Sequence, residues 1–333
     1  NTGLGTGFTV NGSRPNQNSF RVDGIFINDA SANAPSSAAG RLLGLESVQE
    51  LQLLSNPFDV EQGRTSGGSF VAISKSGSNE LHGSAYEFLR NSAFDAKNFF
   101  DPANQRIPRL QRNQFGGLLS GPLRRNRLFF MTNYEQILLT SGQTVTSVVP
   151  NAASREGRLP GGVTVSVSPL IVPYLNLYPL PNGRDFGDGA GAFITEAVTV
   201  SRENYATGKL DAVLSSRLRV NSRYTFDTAR TTRPDALNLF TFLDKSHYHF
   251  LHNEIQFIQT PSTIHALRAG FSRMWYTQTA AHPASIPASL SFVPGQPMGN
   301  IAVTAGLSGI GGVTGDSISL MPRLFVTNDY QFN

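Results

Sequence analysis

The 333-residue sequence contains no cysteine, which excludes a disulfide scaffold and a metal site built from thiolates. It has no run of about 18 apolar residues, the length that a transmembrane helix requires. Charged residues make up only 15% of the chain, against roughly 25% in typical soluble domains. No basic block is longer than Arg124-Arg125, so nucleic acid is not a predicted partner. These absences do not exclude a transmembrane β-barrel, because its strands leave no long apolar run.

Signatures of catalysis are also scarce. The sequence has no Gly-x-Ser-x-Gly nucleophile elbow and no phosphate-binding loop. The segment Gly3–Gly7 lacks the preceding strand and following helix of a dinucleotide site. We therefore predict that the chain is not an enzyme and needs no cofactor.

Three closely spaced histidines, His247, His249 and His252, are the strongest metal candidates. In a strand the first two share a face and His252 points to the other, so the three cannot converge on one ion. The segment Asp185–Gly189 lacks further carboxylates at alternate positions, as a calcium loop would have, and is interpreted as a flexible loop. No metal site is predicted.

Residues 1–79 have the pattern of a small α+β domain. A loop of small residues, Ala30 to Ala39, follows its first strand, and Gly63–Gly68 provides the backbone freedom for a tight bend. The predicted elements are a strand at Ser19–Ile27, a short helical stretch at Arg41–Leu45, and strands at Val48–Leu54 and Ser69–Lys75.

From Glu80 onward the sequence changes to long extended segments. Most reach or exceed the roughly nine to eleven residues with which a tilted strand crosses a bilayer. Eight strands are predicted, at His82–Arg90, Asn113–Gly121, Arg127–Thr140, Glu203–Leu214, Arg217–Thr228, His247–Gln259, Thr263–Thr279 and Arg323–Asn333.

Side-chain alternation and link lengths favour a membrane barrel. In Leu218–Asp227 the even positions are mostly apolar and the odd positions mostly polar, although a soluble sandwich alternates in the same way. The links alternate without exception between long (91–112, 141–202, 229–246, 280–322) and short (122–126, 215–216, near 260–262). Transmembrane barrels have tight turns on the periplasmic side and extended loops outside, whereas a sandwich has no reason to separate them.

Several motifs resemble the plug domain of TonB-dependent outer-membrane transporters. They are a strand that ends in an Asp-Gly turn within Phe20–Asp29, a strand at Leu45–Leu54, and the ending Gly67–Gly77, in that order. The residues that match this plug signature are Val22, Asp23, Gly24, Gly67, Gly68, Lys75 and Gly77.

A second resemblance is sharper and covers the start of the barrel. The segments Asn79–Asn91, Asp95–Phe100, Arg112–Gly117, Gly121–Leu123 and Arg127–Glu135 are similar to the Oar-like branch of the same family. Recognisable similarity extends over about residues 10–140, and only the strand pattern continues beyond.

The resemblance implies a mainly β fold, a transmembrane antiparallel β-barrel with a small α+β plug. Residues 1–79 would be the C-terminal part of the plug, and residues 80–333 the N-terminal portion of the barrel. We expect a fragment with about eight of about 22 strands, because eight strands enclose only enough space for side chains and cannot hold a plug. A signal sequence and the TonB-binding segment are not recognisable, so the true N-terminus is expected to be missing.

The implied function is TonB-dependent uptake across the bacterial outer membrane, without catalysis. The implied partners are the TonB complex, acting through the missing N-terminal segment, outer-membrane lipid, and an imported glycan, peptide or metal chelate. The loop after the first plug strands contacts substrate in this family, which gives Asn28, Asp29, Ser31 and Asn33 as candidate contacts. A structural or adhesive surface barrel and a soluble carbohydrate-binding β protein remain alternatives.

Overall fold

The protein is described by a computed structural model that covers residues 9–28, 34–40, 44–55, 65–97, 106–281, 286–295, 298–303, 306–311 and 317–332. It contains a four-stranded sheet near the N-terminus, here called the small sheet, and an eight-stranded antiparallel sheet, here called the large sheet. None of the described helices is both long and apolar enough to span a membrane.

The small sheet has the order β2-β1-β4-β3, with β1 and β4 parallel and the other pairs antiparallel. Short 3₁₀ turns at Pro15–Gln17 and Leu45–Ser47 precede β1 and β3. Its strands are β1 (Ser19–Val22), β2 (Ile25–Phe26), β3 (Val48–Leu54) and β4 (Ser69–Ser74).

The single predicted strand Ser19–Ile27 is wrong, because the chain reverses in its middle. Asp23 and Gly24 have φ values of 50° and 80°, and Val22 pairs with Ile25 across them. Two successive residues with positive φ make the type I′ turn that Asp-Gly favours. The Asp-Gly turn was therefore recognised correctly, but it lies inside a hairpin.

The other small-sheet predictions have mixed outcomes. Strand Val48–Leu54 is confirmed, and Ser69–Lys75 is confirmed to within one residue. For the helical stretch Arg41–Leu45, residues 41–43 lie outside the described residues, and Leu45 begins a 3₁₀ turn. Of the Gly63–Gly68 bend, only residues 65–68 are described.

All eight predicted long strands are present in the large sheet, in the order β14-β13-β12-β11-β10-β7-β6-β5. In the described chain, β5 and β14 form its two edges and do not pair with each other. Its strands are β5 (His82–Asn91), β6 (Leu110–Arg124), β7 (Leu128–Pro150), β10 (Ala190–Val213), β11 (Leu218–Pro234), β12 (Thr241–Thr260), β13 (Thr263–Ala281) and β14 (Ser317–Phe332).

Most strands are longer than predicted. β10 has 24 residues and β7 has 23, about twice what a bilayer crossing needs. The predicted long link 229–246 is wrong, because its two ends continue as paired strand and only 235–240 connect β11 to β12. Neighbouring strands satisfy each other's backbone groups beyond the apolar band, so pairing does not stop at the membrane surface.

The long links pack together beyond the strand ends. They contain Ser92–Phe94, α1 (Ala152–Arg155), the two-residue strands β8 (Arg158–Leu159) and β9 (Val163–Thr164), Pro160–Gly162, α2 (Val172–Leu175) and Ala288–Leu290. One apolar cluster joins two long links and the short connection 235–240 to the end of β7, through Val149, Tyr178, Leu237, Phe240, Leu290, Met298 and Ile310. The Tyr178 hydroxyl also donates to the carbonyl of Ser308 at 2.7 Å. The long links therefore form a layer with its own core.

The two faces of the large sheet differ as the alternation predicts. One face, here called the inner face, contacts the small sheet and buries polar side chains, among them Glu135, Glu203, Lys209, Arg223, Asp227 and His252. The opposite, outer face exposes apolar side chains, among them Leu210, Leu251, Ile255, Phe257, Leu267 and Phe271. In a transmembrane barrel the apolar face is the one that contacts lipid.

Candidate functional site: the interface between the two sheets

The small sheet is held to the inner face by a buried ion pair. Asp23, in the turn between β1 and β2, lies 2.8 Å from a guanidinium nitrogen of Arg223 on β11. The two side chains are 12% and 7% exposed. Ser74 at the end of β4 also donates to Asp23, through its backbone N–H at 2.9 Å and its hydroxyl at 2.7 Å. The pair thus connects one strand of the large sheet to two elements of the small sheet.

The protonation of Asp23 follows from this environment. Burial by itself would raise the pKa of Asp23, but Arg223, the two hydrogen bonds from Ser74 and the charge of Lys209 together hold that pKa below its ordinary value of 3.8. Asp23 is therefore charged at neutral pH. A buried carboxylate of this kind depends on its partner, because it is costly to leave unpaired.

Lys209 on β10 adds a second contact to the same region. Its ammonium group donates to the Ser74 hydroxyl at 3.0 Å and lies 4.0 Å from a carboxylate oxygen of Asp211. The Lys209 side chain is 8% exposed. Ser74 therefore receives a hydrogen bond from the large sheet while it donates one to Asp23.

An apolar patch lies next to these charges. Phe20, Val22 and Ile27 of the small sheet pack against a cluster on β12 and β13 that consists of Tyr248, Phe250 and Met274. Ile25 packs against Gly270, where an added Cβ would lie 2.9 Å from the isoleucine side chain. Gly270 leaves room in the wall of the large sheet for a side chain of the small sheet.

A third contact involves Gly44, just before the 3₁₀ turn at Leu45–Ser47. Its N–H donates to the buried carboxylate of Glu135 at 2.9 Å. A Cβ at Gly44 would lie 2.3 Å from the ring of Tyr205, and the φ of this residue is +98°. Only glycine fits here, since both the close approach and the positive φ exclude a side chain.

The segment 36–38 makes a fourth contact with β12. The Tyr248 hydroxyl donates to the carbonyl of Ser36, and the Ala38 N–H donates to the Ser246 hydroxyl at 2.8 Å. Here side chains of the large sheet satisfy backbone groups of an irregular segment, which would otherwise be buried without partners.

The remaining signature glycines allow close backbone approach. A Cβ at Gly77 would lie 2.4 Å from the carbonyl oxygen of Phe130 on β7, and one at Gly67 would lie 2.4 Å from the Asn18 side chain. At Gly68 it would meet Val10 at 2.9 Å. Gly77 thus brings the segment after the small sheet against the large sheet, while the other two glycines close the small sheet itself.

Only one of the four predicted contact residues, Asn28, lies among the described residues. Asp29, Ser31 and Asn33 lie outside the described residues. Asn28 is fully buried, accepts from the Phe20 N–H at 2.8 Å and donates to the Asn18 carbonyl at 2.7 Å. These bonds hold Asn28 within the small sheet. Lys75 lies 3.6 Å from Glu46 within the same part of the chain.

The histidines are arranged as the strand periodicity predicts. His247 and His249 lie on the outer face, where their Nδ1 atoms are 3.0 Å from the Thr228 hydroxyl and 2.7 Å from the Tyr224 hydroxyl. His252 is 2% exposed on the inner face. Within the described residues, no group of three His, Cys, Asp or Glu side chains is placed to hold a metal ion.

A match to one protein family shows to which class of protein this chain belongs. Residues 73–333 match the family described as Outer membrane beta barrel domain. The chain belongs to this family of outer-membrane β-barrel domains. It is a protein of the bacterial outer membrane, and the soluble carbohydrate-binding interpretation is excluded.

The chain is 31% identical over 137 residues to the TonB-dependent transporter Oar of Myxococcus xanthus, a match that covers 38% of this chain and 12% of Oar. The resemblance to the Oar-like branch is thereby confirmed. The prediction that this member of the barrel family is not an enzyme agrees with the comparisons, because the similar proteins are named as transporters and receptors.

Two solved structures share the fold. The outer membrane transporter YddB from Escherichia coli has a TM-score of 0.55 at 12% identity, covering 95% of this chain and 38% of YddB. The siderophore receptor PirA from Acinetobacter baumannii has a TM-score of 0.51 at 14% identity, covering 96% of this chain and 38% of PirA. The barrel-domain chain therefore spans well under half the length of each protein, and the predicted antiparallel barrel fold is confirmed.

Sequence reasoning missed the barrel-side half of the interface. None of the inner-face residues that contact the small sheet or its neighbouring segments was singled out as part of a site. These residues are Arg223, Lys209, Glu135, Tyr205 and Tyr248. A signal was present: all five occupy the polar phase of alternating strands, where large charged or aromatic side chains need partners inside the barrel. The pattern did not show which of the inner-face residues meet the small sheet.

Proposed function

We propose that this chain is the plug–barrel junction of a TonB-dependent transporter, with residues 1–79 as the end of the plug and residues 80–333 as the first part of the barrel. The buried contact of Asp23 with Arg223 carries the proposal, because it fixes the small sheet to the inner face. A domain held against the inside of a barrel wall obstructs the lumen, so passage of a solute requires it to move.

The chemistry of the interface suits a domain that is held at rest and displaced by force. Most of the specific contacts are charged or backbone hydrogen bonds: Asp23 with Arg223, Ser74 with Lys209, and Gly44 with Glu135. Polar groups separated from each other are hydrated once water enters, so separation costs less than opening an apolar core of the same area. The apolar patch around Ile27 is small by comparison.

In this proposal the TonB complex pulls on a segment N-terminal to the chain, and the outer face contacts membrane lipid. The imported ligand is a glycan, a peptide or a metal chelate, with Asp29, Ser31 and Asn33 as its contacts on the plug. Since PirA is a siderophore receptor, a ferric siderophore is the first ligand to test.

A disulfide across the interface tests the transport mechanism. Ala38→Cys combined with Ser246→Cys joins the segment 36–38 of the proposed plug to β12, where the Ala38 N–H now contacts the Ser246 hydroxyl. The sequence has no cysteine of its own. In the full-length protein, oxidation is expected to abolish TonB-dependent uptake, and reduction to restore it. Uptake is measured in cells with a labelled panel of ferric siderophores, peptides and oligosaccharides.

The matched control joins two strands of the wall. Ser201 and Thr231 face each other on the inner face of β10 and β11 with hydroxyl oxygens 2.8 Å apart, so Ser201→Cys with Thr231→Cys forms a bond within the large sheet. This pair is expected to leave uptake unchanged. Normal uptake by the oxidised Ala38–Ser246 pair would contradict a plug that has to move.

A structural or adhesive surface role is the second candidate, supported by the packed layer that the long links form around Phe240. That layer offers a stable outer surface to another cell or matrix. The two roles differ in their energy requirement. Deletion of TonB is expected to stop uptake, whereas an adhesin would attach cells equally well without TonB.

A further inference from the structure

The outer face of the large sheet carries a row of basic residues. Strand pairing places Arg202 on β10 opposite Arg230 on β11, and Arg230 opposite Lys245 on β12. Arg202 and Arg230 are exposed and Lys245 is half-buried, while their chain neighbours Ser201, Thr231 and Ser246 are buried on the inner face. Directly opposed residues lie about 5 Å apart, so three positive charges occupy a strip roughly 10 Å long.

Among the described residues, the row has no counter-charge of its own. No ion pair among the described residues includes Arg202, Arg230 or Lys245. The acidic residues of β7 and β10–β13 lie on the inner face, with the exception of Glu196. Glu196 lies on β10 beyond Arg202, toward the long links. Like charges directly opposite each other are destabilising. An anion from outside the chain would reduce the repulsion between these three positive charges.

The position of the row along the strands indicates where that anion lies. Between the short turn before Leu218 and Arg230, the outer face is largely apolar and includes Leu251, Ile255 and Leu267. From Leu218 to Arg230 the strand covers roughly 40 Å, which at a tilt of about 40° is roughly 30 Å across the membrane. The apolar band of such barrels is about 25 Å tall, so the row reaches the outer headgroup layer.

A recess on the same side of the band strengthens this assignment. His247, His249, Arg273 and Trp275 line an outward-facing recess of about 230 Å³, and Trp275 lies directly opposite His247. An aromatic side chain beside basic ones is typical of the level at which lipid headgroups meet the acyl chains. Arg273 lies on the same face as the row, opposite His249 on β12 and therefore four residues along that strand from Lys245.

We propose that Arg202, Arg230 and Lys245, together with the recess at Arg273, bind the phosphate groups of lipid headgroups in the outer leaflet of the outer membrane. Arginine pairs with phosphate in a bidentate way, and lysine adds a point charge. These interactions are stronger at the membrane surface than in water because the local dielectric constant is lower. The proposal requires the membrane position but not the transport function.

The test compares lipid binding by two triple variants of the purified full-length protein. One is Arg202→Gln, Arg230→Gln, Lys245→Gln; the matched control, Arg124→Gln, Arg125→Gln, Arg217→Gln, removes three exposed charges at the short-turn end. Binding of phosphorylated lipid A in detergent is measured by native mass spectrometry, and circular dichroism verifies folding. The first variant is expected to bind roughly tenfold more weakly than wild type, and the control unchanged.

Two further arms identify the source and chemistry of the anion. Lipid A stripped of its phosphates is expected to bind wild type as weakly as phosphorylated lipid binds the first variant. Inorganic phosphate at the same concentration is expected not to compete, because the acyl chains and the apolar band contribute to binding. Equal weakening by the control variant, equal binding of the stripped lipid, or full competition by inorganic phosphate would each overturn the proposal.

Discussion

The two faces of the large sheet are built from the same strands but differ in polarity: the inner face buries charged side chains, and the outer face exposes apolar ones. The inner face buries charged groups, and those that meet the small sheet have specific partners there, as Arg223 has in Asp23. The outer face exposes Leu251 and its neighbours, and on β10–β13 its Lys and Arg side chains lie on the long-link side of the most apolar part. Inside, a charge is tolerated where it has a partner; outside, it is tolerated only where water or a headgroup can reach it.

The largest expected effect comes from removing the partner of a buried inner-face charge. Arg223→Ala removes the ion-pair partner of the buried Asp23 carboxylate and leaves it the hydrogen bonds from Ser74 and the charge of Lys209. We expect a loss of about 3 kcal/mol in the stability of the docked small sheet. Limited proteolysis of the folded full-length protein measures release of the small sheet. Asp23→Asn with Arg223→Met removes both charges and is expected to recover much of the loss; equal release by the single and double variants would contradict a paired charge.

A charge placed on the outer face should have an effect that depends on depth. Leu251→Arg lies opposite Tyr224 in the middle of the apolar band and is expected to cost about 2–4 kcal/mol. Thr232→Arg, beyond Arg230 on β11, is the control and is expected to cost at most about 1 kcal/mol. Urea unfolding in lipid vesicles measures both. Equal costs would show that this face does not cross the membrane at the proposed level.

Packing between the sheets should respond to volume rather than charge. Gly270→Val places a side chain where Ile25 now lies, and overpacking of this kind costs about 1–3 kcal/mol. Ile25→Ala in the same protein is expected to restore docking, because it returns the space. Protease release of the small sheet reports both variants, and failure of the second change to rescue would argue against direct contact.

The smallest expected effect is on pH. Because the pKa of Asp23 is lowered in the folded protein, its charge stabilises the docked state above the ordinary aspartate pKa of 3.8, and this contribution is lost as the pH falls through the lowered value. Release of the small sheet is therefore expected to increase below about pH 4. Asp23→Asn should remove this component, and an identical pH profile in that variant would assign the effect to other groups.

The sequence predicted some local features well because their causes are local. The eight long strands follow from period-two alternation, which each segment displays by itself. The Asp23-Gly24 turn follows from residue types that accept positive φ. Strand ends were less well predicted, since β11 and β12 continue beyond the membrane only because each finds the other as a partner.

Only the N-terminal side of the candidate site could be predicted from the sequence. Signature residues such as Gly77 and Asp23 could be found from their pattern, whereas Arg223, Lys209 and Glu135 could not be distinguished from other inner-face polar residues. Asn28 differs from both groups, since this polar residue beside a predicted loop is buried and bonded within the small sheet. Exposure is a property of the packed chain and not of the residue type.

The sequence by itself determined that this chain is β-rich and that its long strands have one lipid-compatible face, because these properties depend on residues close together in the chain. Only the tertiary structure decided that Asp23 meets Arg223, that Gly270 makes room for Ile25, and that Arg202, Arg230 and Lys245 form one row. Those contacts join residues far apart in sequence, and they depend on strand register and on how the two sheets pack.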